Sequence, residues 1–156
     1  SRYDGGTHVP LIVFWKGDVR AGLSEDIVSQ LDFFASLGHL VGGNVPENID
    51  SRDHLDTFLG NDGEARESIV LEAQGRLCYR SGDYALIPPY KGPKTNITKN
   101  ELGNVDHWSL FNLKEDRGQL NDLSASQPEV LDELKSDFLA ATGTFYKTNV
   151  KEEELK

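Results

Sequence analysis

Residues 9–15, Val-Pro-Leu-Ile-Val-Phe-Trp, are almost continuously apolar, and Lys16-Gly17-Asp18 ends them with turn chemistry. A run of that length and composition suits a strand buried on both faces. Such a strand needs neighbours on each side, yet only the turn Tyr3-Asp4-Gly5-Gly6-Thr7 stands ahead of it. The expectation is an inner strand of a larger sheet whose other strands lie elsewhere. The chain contains no methionine, so Ser1 is expected to be a processed or excised start.

The pattern after this strand changes character. Over residues 24–41, Ile27, Leu31, Phe34, Leu37 and Val41 recur at helical spacing and predict one apolar stripe, with Gly42-Gly43 as the stop. Residues 55–59 predict one or two helical turns ending at Gly60. Three short strands are predicted next, over 68–73, 76–80 and 84–87, with Gln74-Gly75 as a hairpin turn and Ser81-Gly82-Asp83 as the following one. Pro88-Pro89 halts the pairing. Residues 90–105 form a polar loop longer than a passive connector needs, and 107–113 predict the last strand. Ser126-Gln127-Pro128-Glu129 has the form of a capping box, opening a helix with Val130, Leu134 and Phe138 on one face, Leu131 and Leu139 beside them, and Gly143 as the close. Residues 147–156 are charged and predict a flexible tail.

Chemistry-bearing patterns are sparse. A net charge of -10 disfavours nucleic-acid backbones and anionic membranes, and no segment approaches a membrane span. The single cysteine, Cys78, excludes an internal disulfide and reads as a small buried side chain in a strand. The four histidines, His8, His39, His54 and His107, show no pair at zinc-ligand spacing. His54, between Asp53 and Asp56, reads as an exposed helix residue. No nucleophile elbow, P-loop or EF-hand spacing occurs. Asn96-Ile97-Thr98 fits a glycosylation sequon, which a bacterial origin would make incidental.

Four segments in order carry a resemblance. Tyr3-Asp4-Gly5-Gly6-Thr7-His8-Val9-Pro10 with residues 11–15, Val28-Ser29-Gln30-Leu31-Asp32, Tyr79-Arg80-Ser81-Gly82-Asp83-Tyr84, and 110–116 with Asn121-Asp122-Leu123 together resemble the C-terminal portion of the type I, formylglycine-dependent sulfatases. The likeness is to arylsulfatases of the bacterial carbohydrate type. Residues 87–93 and 101–104 are similar to gut-bacterial (Bacteroides-like) sulfatases acting on galactose-type sugars. The chain departs from the pattern at His8, where arginine is usual, at Lys16, where proline is usual, and at Tyr84, where tryptophan is common.

The resemblance implies an α+β piece of an α/β, alkaline-phosphatase-like fold. Its parts would be a small antiparallel sheet of about four strands packed by a C-terminal helix, preceded by a strand and helix of the main sheet. The implied organisation is 1–45 with the catalytic domain, 46–146 as a C-terminal subdomain and 147–156 as the tail. The parent would hydrolyse sulfate esters, of sulfated galactose or N-acetylgalactosamine, using formylglycine and calcium in a periplasmic or secreted location. Its N-terminal catalytic domain would be this piece's partner. The family's activation motif and paired metal aspartates are absent here, so no catalytic or metal residue carries over, and this piece is expected to be inactive alone. Tyr90, Lys91 and Lys94 offer an aromatic face and two ammonium groups to a sulfated sugar. Arg80 is a further candidate, with carboxylate pairing across a domain interface as its competing role. The alternatives are a carbohydrate-binding module and a purely structural packing domain.

Overall fold

The computed structural model describes residues 1–143, 145 and 146; the tail expected at 147–156 lies outside them. The chain divides into two compact units, one of residues 1–9 with the described residues from Ser68 onward, the other of Pro10–Glu67.

The first unit is built on a four-stranded antiparallel meander in chain order: β1 (Ser68–Ala73), β2 (Arg76–Ser81), β3 (Tyr84–Ile87) and β4 (Ser109–Asn112). Two-residue turns fix the register. Gln74 and Gly75 both have positive φ, 57° and 71°, which matches the right-handed twist of the hairpin and pairs Ala73 with Arg76. Gly82 supplies the positive φ of the next turn, pairing Ser81 with Tyr84.

Alternation sends the two sides of the sheet to different cores. Tyr79, Leu86 and Leu110 lie side by side and pack against Leu134 and Phe138 of the C-terminal helix, α3 (Pro128–Thr142). Phe138 is fully buried and meets Tyr79, Trp108 and Tyr146 ring to ring, so its burial contributes about 2–3 kcal/mol. On the opposite face, Ile87, Phe111 and Leu113 are covered by Tyr3 and Val105. The N-terminal segment is therefore a lid on this sheet.

The start of α3 differs from expectation. Gln127 caps the helix without a side-chain bond, Pro128 takes the first turn as predicted, and no Ser126–Glu129 capping box forms. The Ser126 hydroxyl instead donates back to Leu123 O at 3.3 Å, and Gln127 accepts from Tyr84 Oη at 3.2 Å. Tertiary partners on β3 and the preceding turn outcompete the local box. Leu139, expected beside the packed face, is 41% exposed.

Residues 9–15, all but Val9 in the second unit, form no strand. Pro10 to Trp15 lack regular structure, and Ile12 and Phe14 are 88% and 86% exposed. A strand exists only where another strand completes its hydrogen bonds, and the single sheet among the described residues is the meander above. The predicted helix over 24–41 is also shorter, reduced to α1 (Asp32–Leu40). Ser29 and Asp32 set that start: Asp32 Oδ2 accepts from Ser29 N at 2.8 Å while Ser29 Oγ accepts from Leu31 N at 3.3 Å, a reciprocal cap that ends the helix upstream. Its apolar stripe faces outward: Leu31, Phe34, Leu37 and Val41 are all more than half exposed, and Asp32, Ala35 and Ser36 are buried instead. Phe33 meets Phe58 of the short helix α2 (Leu55–Phe58), whose exit at Gly60 is as predicted.

Candidate functional site

The loop following β3 carries three of the four candidate contact residues. Tyr90 is tied at its amide to Val105 O at 2.7 Å, Leu102 N donates to Lys94 O at 2.9 Å, and Asn104 Nδ2 holds Pro93 O at 2.7 Å. The loop thus folds back on itself, with a bridge between Thr95 and Glu101. Lys91 and Lys94 are exposed on it, while the Tyr90 ring is partly buried beneath the Arg76 guanidinium, 3.8 Å from the ring centroid. Arg76 Nη2 also hydrogen-bonds the Tyr90 hydroxyl. A cation over the face of tyrosine is favourable, and here it fixes the ring's orientation.

Arg80 is not brought to this group. It lies four residues along β2 from Arg76, about 13 Å away at strand rise. Its Nε donates to Gly82 O at 2.7 Å, and its Nη1 lies 3.4 Å from Asp4 Oδ1. Asp4, within the 1–45 segment, is thus the carboxylate partner expected for Arg80, and it lies in the same compact unit. Asp4 in turn is held by Gln119, whose Oε1 accepts its amide at 2.6 Å.

Arg2 is a residue that sequence reasoning missed. It is 3% exposed, and its guanidinium reaches Pro88 O at 2.7 Å, Gly103 O at 2.7 Å and Leu77 O at 3.4 Å. Burial lowers its pKa, opposed by nearby Cys78 and Tyr146. By donating to these carbonyl oxygens, Arg2 fastens the N-terminal segment to both the sheet and the loop. No motif around Arg2 announces this, because its acceptors are backbone groups more than seventy residues away.

Cys78 is buried as predicted, and desolvation pushes its thiol up to about 11, so it is inert as a nucleophile. His107 lies between two carboxylates, Nδ1 at 2.7 Å from Asp106 Oδ1 and Nε2 at 3.0 Å from Asp122 Oδ2, with Ser109 Oγ 3.4 Å from Nε2. The Ser-His-Asp combination is not a hydrolytic triad: Ser109 is 1% exposed, and Nε2 faces Asp122 more closely than the hydroxyl.

In the second unit, the structure corrects the reading of His54, which is 4% exposed rather than solvated. Its Nδ1 meets Glu64 O at 2.6 Å and its Nε2 lies 3.7 Å from Asp32 Oδ2. Asp32 is wholly buried and accepts from Ser29 N, Arg52 N at 2.9 Å, and both Nε (2.8 Å) and Nη2 of Arg66. Burial alone raises its pKa, but the Arg66 bond and the two amides outweigh it and hold the carboxyl below its ordinary value. The saturated shell of Asp32 leaves no place for a cation. Among the described residues no group of three or more acidic, histidine or cysteine side chains could hold a metal ion.

No family model matches the chain. It is 37% identical over 148 residues to an N-acetylgalactosamine-6-O-sulfatase of Bacteroides thetaiotaomicron, spanning 92% of this chain and 29% of that protein. It is 26% identical to human arylsulfatase A, over 86% of this chain and 30% of the relative. A solved structure from work on glycosaminoglycan metabolism by Bacteroides thetaiotaomicron superposes with a TM-score of 0.75 at 36% identity, covering 83% of this chain and 28% of that one. A 2-O GAG sulfatase shares the fold at TM-score 0.50 and 17% identity, over 77% of this chain and 27% of the other. The chain therefore spans less than a third of the length of these relatives.

Proposed function

We propose, from the premise that this chain is a sulfatase relative, that it forms the C-terminal portion of an enzyme hydrolysing sulfate esters of galactose- or N-acetylgalactosamine-type sugars. The observation that carries the reading is 37% identity to an N-acetylgalactosamine-6-O-sulfatase across nearly the whole chain. The parent would be periplasmic or secreted, and its formylglycine and calcium would be supplied by residues outside this chain. Within the chain, the Tyr90 loop is the part suited to substrate: an oriented aromatic face with Lys91 and Lys94 exposed beside it, in a protein otherwise rich in negative charge.

In the parent enzyme, the double variant K91A/K94A should raise KM for a sulfated galactosamine severalfold while leaving kcat nearly unchanged, the pattern of lost ground-state binding. An unchanged KM removes these lysines from the site. The isolated chain should show no sulfate-ester turnover with calcium present, and turnover that survives repurification would overturn the non-catalytic reading.

A structural packing role has its own support in the exposed apolar residues of Pro10–Glu67. The two readings separate by NMR titration of the chain with sulfated galactosamine. Shifts at Tyr90, Lys91 and Lys94 indicate ligand contact; their absence at millimolar ligand leaves packing alone.

A further inference from the structure

Lys91 stands between two residues that one aromatic ring holds. On its N-terminal side, Tyr90 gives its amide to Val105 O at 2.7 Å. The Tyr90 ring lies under the Arg76 guanidinium, 3.8 Å from the centroid, and its hydroxyl accepts from Arg76 Nη2. On the C-terminal side, Gly92 packs against the same ring: a Cβ there would stand 2.5 Å from Tyr90 Cε1 and 3.1 Å from Cδ1. The Gly92 backbone is not left-handed, so the ring, not φ, is what asks for glycine. Pro93 follows with its φ fixed by its own ring, and its carbonyl accepts from Asn104 Nδ2 at 2.7 Å.

Arg76 is the fixed end of this arrangement. It opens β2, pairs with Ala73 across the hairpin, and donates from Nη1 to Gly75 O at 2.9 Å. The guanidinium is therefore tied to a sheet element, and the tyrosine ring carries that position to the backbone on either side of Lys91. We propose that Arg76 is a positioning residue for the sulfated group: through Tyr90 and Gly92 it holds the Lys91 backbone, so that this ammonium meets the substrate already placed. The role rests on the Tyr90 loop being the part that meets the sugar, and it singles out Lys91. Lys94 is held by other means, its carbonyl accepting from Leu102 N at 2.9 Å beside the Thr95–Glu101 bridge. A cation on an ordered backbone binds an anion without first giving up that backbone's freedom, which is the cost that preorganisation removes.

The test is a mutant cycle on KM for a sulfated galactosamine in the parent enzyme, with backbone order in the labelled chain measured beside it. R76A and G92A should each raise KM by up to about tenfold, the size of one residue's ordering cost, with kcat nearly unchanged. R76A/K91A should show the KM of K91A alone, because Arg76 acts through that lysine, whereas the effects of R76A and K94A should add. In the chain, NMR relaxation should find the Lys91 amide as ordered as those of β2, and it should loosen in R76A and in G92A while the strand amides do not. Effects of R76A and K91A that add, or a Lys91 amide indifferent to R76A and G92A, overturn the proposal. A Lys91 amide that loosens in both variants while K91A leaves KM unchanged places the fault in the loop as a sugar contact, and the positioning role falls with it.

Discussion

Asp32 has no exposed surface, and four donors converge on its carboxylate from three stretches of chain. Replacing it with Asn removes the charge and leaves the Arg66 guanidinium, itself 8% exposed, without its counterion. Breaking one side of a buried pair costs about 3–5 kcal/mol, whereas replacing both sides with apolar groups of similar size is close to neutral. D32N should therefore lower the urea midpoint of the Pro10–Glu67 unit far more than D32L/R66M does. Equal losses in the two variants would show that packing, not charge, sets the value of the site. Asp122 gives the complementary pH statement. Its pKa is depressed to about 2, so its contribution is complete above the ordinary carboxylate value near 3.9 and is lost as pH falls through 2. Because Asp122 is an exposed residue and solvent screens its interactions, the stability involved is about 1 kcal/mol rather than the full linkage value. Stability measured between pH 5 and 2 should fall more steeply in the wild type than in D122N, and parallel curves would refute the assignment.

The β1–β2 turn shows how a strand pair is decided by two residues. Gly75 sits at φ 71°, where a Cβ is strained whatever space surrounds it, and Gln74 already bears that strain at φ 57°. G75A should destabilise the hairpin by about 1 kcal/mol, while Q74N should stabilise it by about 0.5 kcal/mol, since Asn tolerates the left-handed region better. Thermal melts of the two variants moving in the same direction would contradict the turn assignment. The same locality explains what the sequence made legible. Strand ends at Ala73, Arg76 and Tyr84 follow from turn residues beside them, and α3 follows from Pro128 and its apolar spacing. Arg2, the Asp32–Arg66–His54 cluster and the Arg76–Tyr90 stack were not legible, because each joins residues whose adjacency exists only after folding. The stripe on α1 was read correctly as a pattern, but periodicity identifies an apolar face without saying what covers it.

That uncovered face is a property of the whole molecule. Ile12, Phe14, Phe34, Leu37 and Val41 are each more than half exposed, in a unit whose buried apolar residues are Ala35 and Phe58. Leaving a side chain of this size solvated forgoes about 1.5–3 kcal/mol. A chain that spans under a third of its relatives' length and carries such a set is stable alone only to the extent that its own ion cluster and sheet allow. The chain alone should bind a hydrophobic dye and self-associate, and F14D/F34D should reduce both without altering the unfolding of the β1–β4 unit. In the parent protein the same substitutions should instead destabilise, by about 2–3 kcal/mol per residue if those side chains become buried there. Light scattering and dye fluorescence on the chain, paired with thermal melts on the parent, test both halves. A chain that stays monomeric and dye-free, or a parent indifferent to F14D/F34D, would mean that these residues are a solvated surface in both settings and that the sulfatase likeness does not extend to how this unit is packed.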